Sequence, residues 1–218
     1  MNSFYFQNKV LHAESVPVSD LMGAYGSPLY IYSKSQIEFN WQQFEKSFGS
    51  HPHLICYAVK ANSNLAVLNV LANLGSGFDI VSIGELERVI AAGGNPKKCV
   101  FSGVAKTEQA IQKALEYGIY CFNVESVAEL DRIESVAASL KMNAPISIRV
   151  NPNVDAKTHP YISTGLTENK FGVGVELALS LYKKINLSDH LEVFGLDYHI
   201  GSQITDISPF LEALDKAL

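Results

Sequence analysis

From residue 34 onward, short apolar runs alternate with stretches of helical periodicity. Strand-like runs rich in β-branched and aromatic residues cover 54–60, 77–82, 99–103, 120–126, 146–151 and 191–202. Helical patterns lie between and after them, over 65–74, 84–92, 106–117, 127–140, 177–185 and 208–218. A helix over 34–48 precedes the series, with Ser33 placed to cap its N-terminus. The first five strand runs begin roughly 20–27 residues apart, the length of one βα unit. The last gap is longer because it holds 152–170, a loop rich in Asn, Thr and Gly whose length points to a lid or binding role.

Repeated βα units build either a doubly wound sheet or a (β/α)8 barrel, and side-chain alternation separates the two. Successive strand residues face opposite sides. Ile55, Tyr57 and Val59 share one face, and Leu54, Cys56, Ala58 and Lys60 the other. Phe78 and Ile80 oppose Asp79; Tyr120, Phe122 and Val124 oppose Cys121, Asn123 and Glu125. Ile146, Ile148 and Val150 oppose Ser147, Arg149 and Asn151, while Phe194, Leu196, Tyr198 and Ile200 oppose Gly195, Asp197 and His199. One face is bulky and apolar; the other is small or polar, increasingly so toward each strand's C-terminal end. A doubly wound sheet is covered by helices on both faces and reads apolar on both. The pattern instead predicts an α/β barrel whose lumen becomes a site at its C-terminal mouth. About six βα units are counted where eight close such a barrel, so the expected fold is an incomplete TIM barrel lacking two units beyond Leu218. Residues 1–33 have a different texture, with Pro17, Gly26, Pro28 and a β-prone run at 29–32.

Composition narrows the function classes. Of 218 residues, 47% are hydrophobic and 18% charged, the make-up of a globular protein, and the net charge of -5 offers no basic surface for nucleic acid. Residues 1–10 lack the basic-then-apolar pattern of a signal peptide, and the most apolar stretches are too short to span a bilayer, so a cytoplasmic protein without membrane partners is expected. Cys56, Cys99 and Cys121 read as buried free thiols of a reducing compartment, and no ligand spacing points to a metal. Gly172-Val-Gly174 begins like a dinucleotide loop but lacks the third glycine and follows a loop.

Lys60 carries the candidate chemistry. An amine on the lumen side of a strand end is costly to desolvate unless paired or chemically used, and in that setting it can condense with an aldehyde. The run Tyr57-Ala-Val-Lys-Ala-Asn62 resembles the cofactor-lysine motif of the fold-type III pyridoxal-phosphate (PLP) decarboxylases, relatives of alanine racemase. The resemblance continues through Phe78-Asp-Ile-Val-Ser-Ile-Gly-Glu-Leu86, Phe101-Ser-Gly103 with Lys106, Asn123-Val-Glu-Ser126 and Arg149-Val-Asn-Pro152. It extends to Thr158-His-Pro-Tyr-Ile-Ser-Thr-Gly165, Lys170-Phe-Gly172 and His199-Ile-Gly-Ser-Gln203. Seven segments in order, each at a strand end or in the long loop, make chance an implausible source.

The resemblance implies PLP as cofactor, held by Lys60 as a Schiff base. His199 matches a histidine stacked on the cofactor ring, Ser202 a serine on its phosphate, and Asp79 an acid near the ring and the lysine. Arg149 matches an arginine near the phenolic oxygen; by position it reads equally as the salt-bridge partner of Glu125 or Asp197. Tyr161, Ser163 and Lys170 are weaker candidates for ordering the loop. Lys60 and His199 are the expected catalytic residues, and Lys60, Asp79, Arg149, His199 and Ser202 the expected cofactor contacts. The last three loop motifs point to decarboxylation of meso-diaminopimelate to L-lysine. Another basic amino-acid decarboxylase, a racemase of the same fold, or a non-catalytic PLP-binding or regulatory protein are the alternatives. The family pattern further implies that 1–33 packs with a C-terminal β-domain, that 34–218 is the PLP-binding barrel portion, and that the protein is a homodimer acting on a small amino acid. The family's phosphate loop, ring-nitrogen acid, catalytic Cys and substrate-binding Arg and Tyr all fall beyond Leu218, so 1–218 alone is expected to be inactive.

Overall fold

The computed structural model of the chain describes residues 3–154 and 171–217. The N-terminal part comprises β1 (Phe4–Gln7), β2 (Val10–Ala13), β3 (Val16–Pro17), α1 (Val18–Tyr25) and α2 (Lys34–Phe48). The alternating part follows: β4 (Cys56–Ala58), α3 (Leu65–Asn73), β5 (Gly77–Ile80), α4 (Ile83–Ala91), β6 (Cys99–Phe101), α5 (Glu108–Tyr117), β7 (Cys121–Val124), α6 (Val127–Leu140), β8 (Ala144–Arg149), α7 (Val175–Asn186), β9 (Leu191–Asp197) and α8 (Ser208–Ala217).

Helix starts follow from local chemistry. The side chains of Ser33, Asn64, Ser82, Thr107 and Ser126 each accept a hydrogen bond from a main-chain N–H in the first turn of the helix they precede. At two βα junctions a glutamate in that turn reaches back as well. Glu85 accepts from the Val81 N–H at 2.7 Å, and Glu129 from the Glu125 N–H at 3.1 Å, a variant of the capping box.

Strands β4 to β9 form one parallel sheet in chain order, β4-β5-β6-β7-β8-β9. A doubly wound sheet reverses its strand order at a switch point; this one does not. Sequential helices also pack side by side, α2 on α3, α3 on α4, α4 on α5 and α5 on α6. The helices therefore cover one face, as on the outside of a barrel. Between the two layers lies the main core, beside a second, small cluster of Val154, Ile200 and Ala213. Phe78, Ile80, Phe101, Phe122, Val124, Ile146 and Ile148 from the strands meet Leu68, Leu86, Val89, Ile111, Leu130, Ile133 and Leu181 from the helices. Burial of each such side chain stabilises the fold by roughly 1.5–3 kcal/mol.

Four details differ from the sequence pattern. The run at 29–32 is not a strand; the N-terminal strands are β1, β2 and β3, paired antiparallel in that order. Strand β4 ends at Ala58, and Lys60 sits in a 3-10 turn over Val59–Ala61. Strand β9 ends at Asp197, so His199 lies just past it. Finally, β8 and β9 pair Ile146 with Val193 but Ser147 with Gly195, a bulge that takes Phe194 out of the alternation. Its ring meets Tyr120 edge-on at 4.6 Å.

The N-terminal sheet is fastened to α2 by Glu14 and by Ser3, whose hydroxyl bonds Ser35 Oγ at 3.3 Å and Gln36 Oε1 at 3.2 Å. Glu14 Oε1 accepts from Ser33 Oγ at 2.7 Å and from the Ser35 N–H at 2.8 Å. Among the described residues no helix is long and apolar enough to cross a membrane.

Candidate active site

The C-terminal ends of the parallel strands open into a cavity of about 460 Å³, within the usual range for small-ligand sites. Lys60, Asp79, Arg149 and His199 all line it, together with Ser102, Asn123, Glu125 and Asp197. Ser202 is exposed and is not among the lining residues. Tyr161, Ser163 and Lys170 lie outside the described residues.

Each wall of the cavity has its own bonding. On the β5 side, Ser102 Oγ donates to Asp79 Oδ1 at 2.6 Å, Asn123 Nδ2 donates to Ser102 Oγ at 3.1 Å, and Cys121 Sγ donates to Asn123 Oδ1 at 3.8 Å. The chain of donors crosses β7, β6 and β5 and ends on the carboxylate. Burial raises the Asp79 pKa; the Ser102 hydrogen bond and the charge of Lys60 oppose the rise.

On the β8 side, Arg149 Nη1 is 2.8 Å from Glu125 Oε2, and its guanidinium lies over the Phe171 ring at 5.7 Å. The salt-bridge partner that the sequence left open is thus Glu125. Arg149 Nε is buried with no hydrogen-bond partner, an unused donor on a residue that lines the cavity. Asp197 faces Arg149 across the β8–β9 register, and burial pushes its carboxyl up to about 6 against the pull of Arg149. Burial among the walls, then the charges of Arg149 and Lys60, hold the His199 imidazole below the ordinary histidine value.

All three cysteines are free thiols, and burial pushes Cys56 up to about 11 and Cys99 and Cys121 up to about 12. Cys56 is only half-buried and lines the cavity below Lys60, where a fully buried thiol was expected. Among the described residues no group of three or more His, Cys, Asp or Glu is placed to hold a metal ion.

Three contributors carried no assigned role in the sequence pattern. Ser102 and Asn123 have lumen positions that alternation supplies, but their chain to Asp79 depends on register between strands. Lys106 lies outside any strand and is fully buried; its only signal was its place in the family resemblance.

A parallel αβ arc with an amine, an acid and an arginine converging at its C-terminal mouth has the layout of a small-ligand site. The chain belongs to the family described as pyridoxal-dependent decarboxylase, pyridoxal binding domain, which matches residues 34–218. Among curated relatives it is 58% identical over 214 residues to the diaminopimelate decarboxylase of Vibrio cholerae, covering 98% of this chain and 51% of that protein. It is 56% identical over 218 residues to the diaminopimelate decarboxylase of Pseudomonas aeruginosa, covering 100% of this chain and 52% of that protein. Among solved structures, diaminopimelate decarboxylase from Helicobacter pylori complexed with L-lysine superposes with a TM-score of 0.89 at 48% identity, over 91% of this chain and 50% of that one. The M. jannaschii enzyme in co-complex with L-lysine gives 0.91 at 38% identity, over 99% and 52%. The chain spans about half the length of the relatives it matches.

Proposed function

We propose that this chain is the cofactor-binding half of a PLP-dependent enzyme that decarboxylates meso-diaminopimelate to L-lysine and carbon dioxide. The observation that carries the proposal is the convergence of Lys60, Asp79, Arg149 and His199 on one cavity. Identity above 50% to curated diaminopimelate decarboxylases supports the choice of substrate over other basic amino acids.

The residues present fit the cofactor. Lys60 supplies a primary amine for an aldehyde, Arg149 has a buried N–H without a partner, and Lys60 and Arg149 provide positive charge for an anionic ligand. When bound, PLP supplies an electron sink for the electron pair left as carbon dioxide departs. Lys60 would hold the cofactor through its aldehyde, and its amine, when not so engaged, would be placed to carry a proton at the substrate α-carbon. Asp79, fixed by Ser102 and attracted to Lys60, sets the charge beside that amine. Arg149, anchored by Glu125, would offer a fixed positive charge to an oxyanion of the cofactor. His199, its pKa held low, offers an uncharged flat ring at neutral pH for stacking. For Ser202, which is exposed and outside the cavity lining, a contact with the cofactor phosphate rests on the family resemblance alone.

Residues 1–33 pair with a C-terminal β-domain in this proposal, and 34–218 form the barrel portion. The protein is a cytoplasmic homodimer acting on an amino acid, without nucleic-acid or membrane partners.

Three measurements test the assignment. Borohydride reduction of the full-length protein loaded with PLP is expected to fix the cofactor on Lys60, and Lys60→Arg to lower turnover by ~10²-fold or more. Carbon dioxide release is expected from meso-diaminopimelate and not from ornithine. A reduced protein with Lys60 unmodified, or Lys60→Arg at normal rate, overturns the assignment.

A further inference from the structure

Lys106 is 1% exposed, and its ammonium spends all three hydrogens inside the protein. It donates to the Gly103 carbonyl at 2.5 Å, the Asn123 carbonyl at 2.8 Å and Glu129 Oε1 at 2.6 Å. Glu129 Oε2 accepts from the Glu125 N–H at 3.1 Å, and Glu125 Oε1 accepts from the Gly103 N–H at 3.1 Å. The bonds close a circuit, from Lys106 to Glu129, to Glu125, to Gly103 and back to Lys106. The second carboxylate oxygen of Glu125 leaves the circuit and holds Arg149 at 2.8 Å.

The matching junction elsewhere in the fold shows that the cap alone does not need this cation. Between β5 and α4, Ser82 and Glu85 make the same pair of bonds, and among the described residues no cation sits on Glu85. There the residue whose N–H is capped is Val81, with no charge to direct. At the β7–α6 junction it is Glu125, which carries the carboxylate on Arg149. A buried ion pair is a weak source of stability, since desolvation offsets much of the attraction, but it fixes geometry.

We propose that Lys106 is a positioning residue for the cofactor cavity: through Glu129 and the main chain at Glu125 it sets where Glu125 holds Arg149. The inference rests on the PLP-binding assignment above and extends it to a side chain that does not line the cavity. Its removal loosens the grip on Arg149; it also takes away a charge that helps to lower the Asp79 pKa and a donor to the Asn123 carbonyl, so an Arg149→Gln background is what isolates the route through Glu125.

The test uses the full-length protein. Lys106→Met alone strands a buried carboxylate and is expected to lower Tm. Lys106→Met with Glu129→Gln removes both charges while the side chain at 129 keeps an oxygen for the Glu125 N–H. In that double variant the Kd for PLP, read by cofactor absorbance without turnover, is expected to rise several-fold, below the roughly tenfold or more felt at direct partners of a contact residue, because Lys106 acts through Glu129 and Glu125. In an Arg149→Gln background the same two changes are expected to have little further effect. If the double variant does not fold, Glu129→Gln alone carries the same expectation. An unchanged Kd, or a loss of the same size in both backgrounds, overturns the inference. Failure of the unmodified protein to take up PLP overturns instead the assignment on which it rests.

Discussion

Asp197 shows what the lumen does to one carboxylate. Burial dominates, Arg149 opposes it, and Asp79 and Glu125 add to the rise from 3.8 to about 6. A pKa raised on folding means that the folded state prefers the protonated group. Its contribution to stability is fully present below about 3.8 and is lost as pH rises through about 6. Near pH 8 the ionised group costs on the order of 2–3 kcal/mol, an upper bound for a lumen that admits water. Asp197→Asn removes this titration. In the cofactor-free protein, Tm of the variant is expected to exceed that of the parent at pH 8, with the gap closing toward pH 4. A variant less stable at pH 8 would show that the Arg149 attraction outweighs desolvation. The residue's place was legible in the sequence, since alternation alone put Lys60, Asp79, Asn123, Glu125, Arg149, Asp197 and His199 on one face. Which carboxylate Arg149 takes was not legible. That choice depends on a capping bond from Glu129 that holds the Glu125 main chain; the Ser126-to-Glu129 spacing marks the cap but not the carboxylate that it aims at Arg149.

At the scale of elements, helices were more legible than strand ends. Helix starts are written in single residues, Ser33, Ser82 and Ser126 among them, whose side chains close the first turn. Strand ends depend on hydrogen bonds to a neighbour, and two of them departed from the pattern. The chain at Lys60 turns into a 3-10 segment, and β9 stops at Asp197, short of His199. Close approach between elements was likewise invisible in the sequence. A Cβ at Gly77, in β5, would stand 2.6 Å from the Lys98 carbonyl oxygen and 2.7 Å from Cys56 Sγ. Gly77→Ala is expected to destabilise the protein by about 1–3 kcal/mol, the usual cost of overpacking a close-packed site. Because one obstacle is main chain, adding Cys56→Ala should restore little of the loss. Denaturant midpoints of the single and double variants decide the point, and full recovery in the double would mean that only the thiol was in the way.

At the scale of the molecule, the six-stranded sheet is open, and both of its edges carry apolar surface. On the β9 side Val193, Phe194 and Leu196 are each more than 40% exposed. On the β4 side Ile37, Trp41, Phe44, Ile55, Tyr57 and Leu71 line a cavity of about 390 Å³, with the buried indole N–H of Trp41 lacking a partner. An unpaired edge beside exposed apolar side chains is a template for association with another chain. The relatives are about twice as long as this chain, and further strands on these edges would cover both surfaces. A protein limited to 1–218 is therefore expected to self-associate in light scattering after gel filtration, to bind PLP more weakly than the full-length protein, and to release no carbon dioxide from diaminopimelate. The two defects share a cause, because the cavity lies at the mouth of the same open sheet, where one wall ends at β4 and the other at β9. A monomeric 1–218 that turned over substrate would mean that the arc from β4 to β9 holds the cofactor without further strands, and that the apolar edges are covered within the chain itself.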